Sequence, residues 1–99
     1  MSERVIRHVV VRGRVQGVGY RAFVEDEAHR QGLQGWVRNR CDGSVEAVFA
    51  GPPSLVEAMI EACRRGPFPA HVSAIDQREG AEADLAAGSG DGFSVLPTV

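Results

Sequence analysis

The sequence contains no lysine: all eleven of its basic residues are arginine. Against thirteen Asp and Glu they leave a formal net charge of -2. That balance argues against a general nucleic-acid binder, because affinity for a phosphate backbone comes from clustered Lys and Arg. An all-arginine set suits planar, bidentate recognition of oxyanions, although genome composition is the plainer source of such a bias. Cysteine is scarce as well, and Cys41 and Cys63 are too few for the disulfide framework of a secreted domain. No stretch approaches the roughly 20 apolar residues that cross a bilayer. Residues 1–4 lead straight into an alternating strand pattern, without the charged head, apolar run and cleavage site of a leader. A cytoplasmic setting is therefore expected. His8, His29 and His71 share no metal-ligand spacing, so surface or rim positions are expected for them, and neither a metal nor another cofactor.

What is present is a globular composition, 43% apolar over 99 residues, suited to one domain spanning 1–99. A chain of this size buries only about 60 to 65% of its unfolded surface, so its core must be economical. Residues 5–15 alternate as a strand, with Val9, Val11 and Gly13 on one face and His8, Val10, Arg12 and Arg14 on the other. Gly17 and Gly19 break the strand. Tyr20, Phe23, Val24 and Ala28 then recur at helical spacing over 20–31, with Gly32 placed to end the helix. Glu25, Asp26 and Glu27 sit too far into it to act as caps and are expected to face water.

Residues 33–40 and 44–50 read as two strands joined through Asp42 and Gly43, a dipeptide that favours the positive φ of a tight hairpin. Ser54 and Glu57 have the spacing of a capping box opening a second helix, whose apolar stripe reads Leu55, Ala58, Met59, Ala62 and Cys63. Arg64 and Arg65 sit where the helix dipole favours cations, and Gly66 and Pro67 stop it. A strand over 72–79, a mobile Ala/Gly-rich loop over 80–92 and a short strand over 93–96 complete the chain. The order predicts an α+β, ferredoxin-like two-layer sandwich: βαββαβ plus a short C-terminal strand, a mainly antiparallel sheet with two helices on one face. That scaffold hosts enzymes, RNA binders and regulatory modules, so the fold alone assigns no function.

The chemistry concentrates in Gly13-Arg14-Val15-Gln16-Gly17-Val18-Gly19-Tyr20-Arg21, which joins a strand end to a helix start. Several N–H groups there lack intrahelical partners, and glycines let them turn inward as a nest at the positive end of the helix dipole. Arg21 stands where a guanidinium meets two oxygens of a bound phosphate. An ordinary glycine-rich turn with a solvated arginine fits the same residues. The segment 17–22 also fits G-x-G-x-x-A, the dinucleotide fingerprint, but its ribose-binding acid is missing about 20 residues on, where Asn39 and Arg40 stand. The Walker pattern fails for want of a Lys-Ser or Lys-Thr.

Gly35-Trp36-Val37-Arg38-Asn39-Arg40 is the second element. In a split βαβ unit the first and second strands run parallel, so Asn39 emerges at the same sheet edge as the glycine loop. With one strand between them the gap is about 9 to 10 Å, room for a phosphate and a water. Asn39 also fits a turn residue bonding its own backbone, and Trp36 fits packing on a sheet face. Together the two motifs resemble those of the acylphosphatase family, and the resemblance runs over nearly the whole chain. Cys41 stands where proline is frequent in the family, and the 80–92 loop is longer than expected.

The resemblance implies a metal-independent hydrolase of small acyl phosphates, acting as a monomer. It makes Arg21 the phosphate-binding arginine and Asn39 the holder of the attacking water. The backbone of Gln16, Gly17, Val18, Gly19 and Tyr20 would line a phosphate-binding loop. A carboxylate leaving group, with a conjugate-acid pKa of about 4, departs without being protonated, so the spare site inventory suits a mixed anhydride. Two binding modules compete on the same scaffold. An RNA-recognition sheet calls for exposed aromatics and a basic surface, whereas the six aromatics fall mostly at core positions. A phosphate sensor without turnover would use the same nest.

Overall fold

The structure, a computed structural model, describes residues 3–88 and 92–99. Positions 89–91, part of the expected 80–92 loop, lie outside them. The valine-rich first strand, β1 (Val5–Arg14), leads through a glycine loop into α1 (Tyr20–Gln31). Next come β2 (Gln34–Asn39), β3 (Val45–Gly51), α2 (Pro53–Arg65), β4 (His71–Glu79), a short α3 (Glu82–Leu85) and β5 (Phe93–Val95). The sheet order is β4-β1-β3-β2-β5. β1 pairs antiparallel with β3 and β4, β2 pairs antiparallel with β3, and β5 joins the outer edge of β2 in parallel. β1 and β2 therefore point the same way with β3 between them, as the split βαβ reading requires.

Alternation along β1 decides which side becomes core. Val9 and Val11 face the helices, where they pack with Val24, Ala28, Val37, Phe49 and Met59. Phe49 and Phe93 stack with ring centroids 5.7 Å apart. α1 lies over β2 and β5, and α2 lies over β1, β3 and β4. Burial pushes the Cys63 thiol, in this layer, up to about 12, so it is an inert core residue. Cys41 is an exposed free thiol in the β2–β3 connection.

Several local expectations are corrected. α2 is not opened by Ser54: Pro52 is its N-cap, no side chain caps it, and Pro53 stands at the first turn. Proline needs no donor there and brings a helical φ, so it displaces the capping box. The buried stripe is Val56, Met59, Ile60, Ala62 and Cys63, while Leu55 and Ala58 are exposed. Starting the helix one residue earlier does not move that stripe; β1 and β4 beneath α2 select it. Only Gly43 in the hairpin has positive φ, so 40–44 form a wider turn than a two-residue one. Asp42 holds it by accepting from the Ser44 amide at 2.9 Å and the Ser44 hydroxyl at 2.6 Å. Those two bonds keep the Asp42 carboxyl below the usual carboxylate range.

The other sheet face is not bare, because part of the expected 80–92 loop folds as α3 against it. Leu85 packs with Ile6, Trp36, Val48 and Ala50 in a second cluster. The Trp36 indole N–H donates to the Asp84 carbonyl at 2.8 Å. Beside this cluster Glu46 binds two partners, His8 at 2.7 Å and Arg38 at 2.8 Å, and the Arg38 guanidinium lies 4.6 Å from the Trp36 ring centre. His8 thus belongs to a half-buried network rather than to a free surface.

Burial pushes the Glu46 carboxyl up, but the hydrogen bonds and charges of His8 and Arg38 outweigh it and leave the group below its ordinary value. A depressed carboxyl stabilises the fold above its unfolded pKa, about 4.3, and that contribution is lost as pH falls through the lower folded value. Urea denaturation at pH 7 and near pH 3 should show wild type losing more stability on acidification than Glu46→Gln. Equal losses would mean that the network adds no pH-dependent stability.

Candidate active site

At the end of β1 the pairing with β4 shifts register between Arg12 and Gly13, and the chain leaves the sheet. Gly17 (φ 74°) and Gly19 (φ 79°) are left-handed, and Gly19 is the N-cap of α1. A side chain at either position would be strained, by roughly 1 to 2 kcal/mol. Among the described residues the amides from Gln16 to Ala22 donate to no backbone carbonyl. The first that does is Phe23, to Gly19 at 3.1 Å. A row of unpartnered N–H groups at the positive end of a helix is an anion cradle. Tyr20 anchors it: the ring is buried, and its hydroxyl donates to the Cys63 carbonyl of α2 at 2.7 Å. Burial first, and then the neighbouring Cys63, push the phenol well above its usual value.

Beside the cradle lies an open pocket of about 330 Å³. Gln16, Gly17, Gly19, Tyr20 and Arg21 line one side and Asn39 the other, with Val95 on the β5 edge. Asn39 reaches the pocket because β2 runs parallel to β1. Its carboxamide oxygen is shielded from solvent and has no hydrogen-bond partner, a combination found for no other side-chain atom among the described residues. Arg21 is half-buried, and no ion pair forms on it among the described residues.

Of the residues expected from sequence, the structure brings together Gln16, Gly17, Gly19, Tyr20, Arg21 and Asn39. Val18 does not line the pocket; its half-buried side chain packs against the core. Trp36 packs into the second cluster on the far sheet face, as its sheet-face reading required. Two features were missed. The Gln16 side chain donates 2.8 Å hydrogen bonds to the carbonyls of both Arg40 and Ser44, tying the cradle to the hairpin that carries Asn39. Glu25 was expected to face water, but it is half-buried and lines the pocket. Its i, i+4 spacing from Arg21 was the available signal. Glu27, expected in water too, pairs with Arg30 at 2.8 Å.

Fold and site together define an α+β sandwich protein with a loop of unpartnered amides between a strand and a helix. Among the described residues no helix is long and apolar enough to cross a membrane. The chain matches the Acylphosphatase family model over residues 7–94. It is 55% identical over 97 residues to an acylphosphatase of Rhodopseudomonas palustris, covering 96% of this chain and 97% of that one. Solved acylphosphatase structures superpose closely. That from Coxiella burnetii has a TM-score of 0.83 at 32% identity, covering 94% of this chain and 93% of that one. That from Bacillus subtilis has 0.81 at 36%, covering 93% and 98%. The chain belongs to the acylphosphatase family and is an enzyme of that type.

If Gln16 is the tie between loop and hairpin, Gln16→Ala should lower the free energy of unfolding by about 1 to 3 kcal/mol. Urea denaturation with an unchanged m-value would report it, and an unaltered midpoint would show that the tie carries no stability.

Proposed function

We propose that the protein hydrolyses small acyl phosphates to a carboxylate and inorganic phosphate in the pocket between the 16–21 loop and Asn39. The observation that carries the reading is the row of unpartnered amides beside Arg21, opposite a buried carboxamide oxygen that lacks a donor. The amides and the guanidinium hold the phosphoryl oxygens and neutralise the charge that spreads over them in the transition state. Asn39 accepts from the attacking water and orients it in line with the bond to be broken. As the water oxygen bonds to phosphorus, the bond from phosphorus to the bridging oxygen breaks, and the carboxylate leaves with the electron pair. The proton of the water passes to a phosphoryl oxygen, so the products are a carboxylate and a protonated inorganic phosphate.

A carboxylate with a conjugate-acid pKa of about 4 needs no acid to leave, whereas an alkoxide does. The site therefore suits mixed anhydrides and not phosphate monoesters. Charge is met by amides and Arg21, so the reading asks for no metal ion.

Acetyl phosphate should be hydrolysed in the presence of a chelator while p-nitrophenyl phosphate is not. Binding of phosphate without acetyl phosphate turnover would instead identify a sensor. Arg21→Ala should lower kcat/KM by about 10² to 10³, by analogy with loss of one oxyanion donor. Asn39→Ala should lower kcat and leave inhibition by inorganic phosphate largely intact. Wild-type rates in both variants would remove the assignment of these residues.

A further inference from the structure

The cradle and Asn39 account for part of the pocket lining. The residues without a role in the phosphate reading include Ala22 and Glu25 of α1 and Val95 of β5. Glu25 lies one helical turn beyond Arg21 on the same face, about 6 Å along the axis. Val95 pairs with Val37, two residues before Asn39, and is 40% exposed. A phosphoryl group held at 16–21 would have an exit for its acyl group here, beside a methyl, an isopropyl group and a carboxylate.

Arg21 and Glu25 are the two charged side chains of the lining. Glu25 is half-buried and forms no hydrogen bond or ion pair among the described residues, unlike Glu27 on the same helix, which pairs with Arg30. No partner within the fold therefore accounts for a carboxylate at this point of the pocket wall. We propose that Glu25 sets acyl-group selectivity, so that the preferred substrates are acyl phosphates whose acyl group bears no negative charge. The proposal rests on the acyl phosphate reading above. A second carboxylate on the substrate would enter the exit against Glu25 and meet repulsion, whereas a neutral alkyl group would lie against Ala22 and Val95. The repulsion of the phosphate itself by Glu25 is common to both substrates and cancels in their ratio.

The test compares kcat/KM for butyryl phosphate and succinyl phosphate, which share a four-carbon acyl chain and differ by one carboxylate. At low ionic strength Glu25→Gln should raise the succinyl-to-butyryl ratio by about 5-fold or more over wild type, and Glu25→Arg should raise it further. The gap between wild type and Glu25→Gln should shrink as salt is raised to about 0.5 M, which a purely structural effect of the substitution would not do. An unchanged ratio in Glu25→Gln at low salt, with butyryl phosphate still hydrolysed, overturns the selectivity role and leaves the acyl phosphate reading standing. Failure of wild type to hydrolyse either compound overturns that reading itself.

Discussion

The amides between Gln16 and Ala22 are the constraint on which the site depends. A peptide N–H without a partner is costly once water is excluded, and a loop left to itself relaxes to satisfy it. Here relaxation is blocked from three sides. Gly17 and Gly19 hold left-handed angles, Tyr20 is locked into the core through its bond to the Cys63 carbonyl, and Gln16 is bonded across to the β2–β3 hairpin. The amides thus stay without backbone partners beside the pocket, which is what the proposed phosphate site requires.

The sheet supplies the second half. Because β3 lies between two parallel strands, the ends of β1 and β2 stand side by side at one edge with a strand's width open between them. Asn39 and the loop face each other across that opening, and the two Gln16 hydrogen bonds fix their separation. The far sheet face serves stability instead. There α3 covers Trp36, and Glu46 gathers His8 and Arg38, so the strands that carry the site are held from both sides. Among the described strands only β4 leaves most of its residues exposed, at the edge away from the pocket.

Much of this was legible beforehand because it rests on local chemistry. Valine alternation marked β1 and its core face, the 20–31 periodicity marked α1, and glycines at 17 and 19 marked a turn with exposed amides. What was misread has a common cause. Ser54 and Glu57 form a valid local capping signal, yet Pro52 and Pro53 pre-set the helical entry. Leu55 and Val56 fit adjacent apolar stripes, and only the sheet beneath selects Val56. Residues 82–85 are too few for a periodic pattern, and their helix exists because Trp36 and Ile6 offer a surface for Leu85.

The sequence by itself determined the order of elements and the loop able to turn its amides inward, since each follows from spacing within a few residues, while Arg21 and Asn39 became candidates through strand order and family resemblance. Tertiary structure alone decided that Gln16 reaches the carbonyls of Arg40 and Ser44 and that Glu25 lines a pocket with Val95. Those arrangements bring together residues 24 or more positions apart. Chain spacing carries no information about such distances until the sheet has closed them.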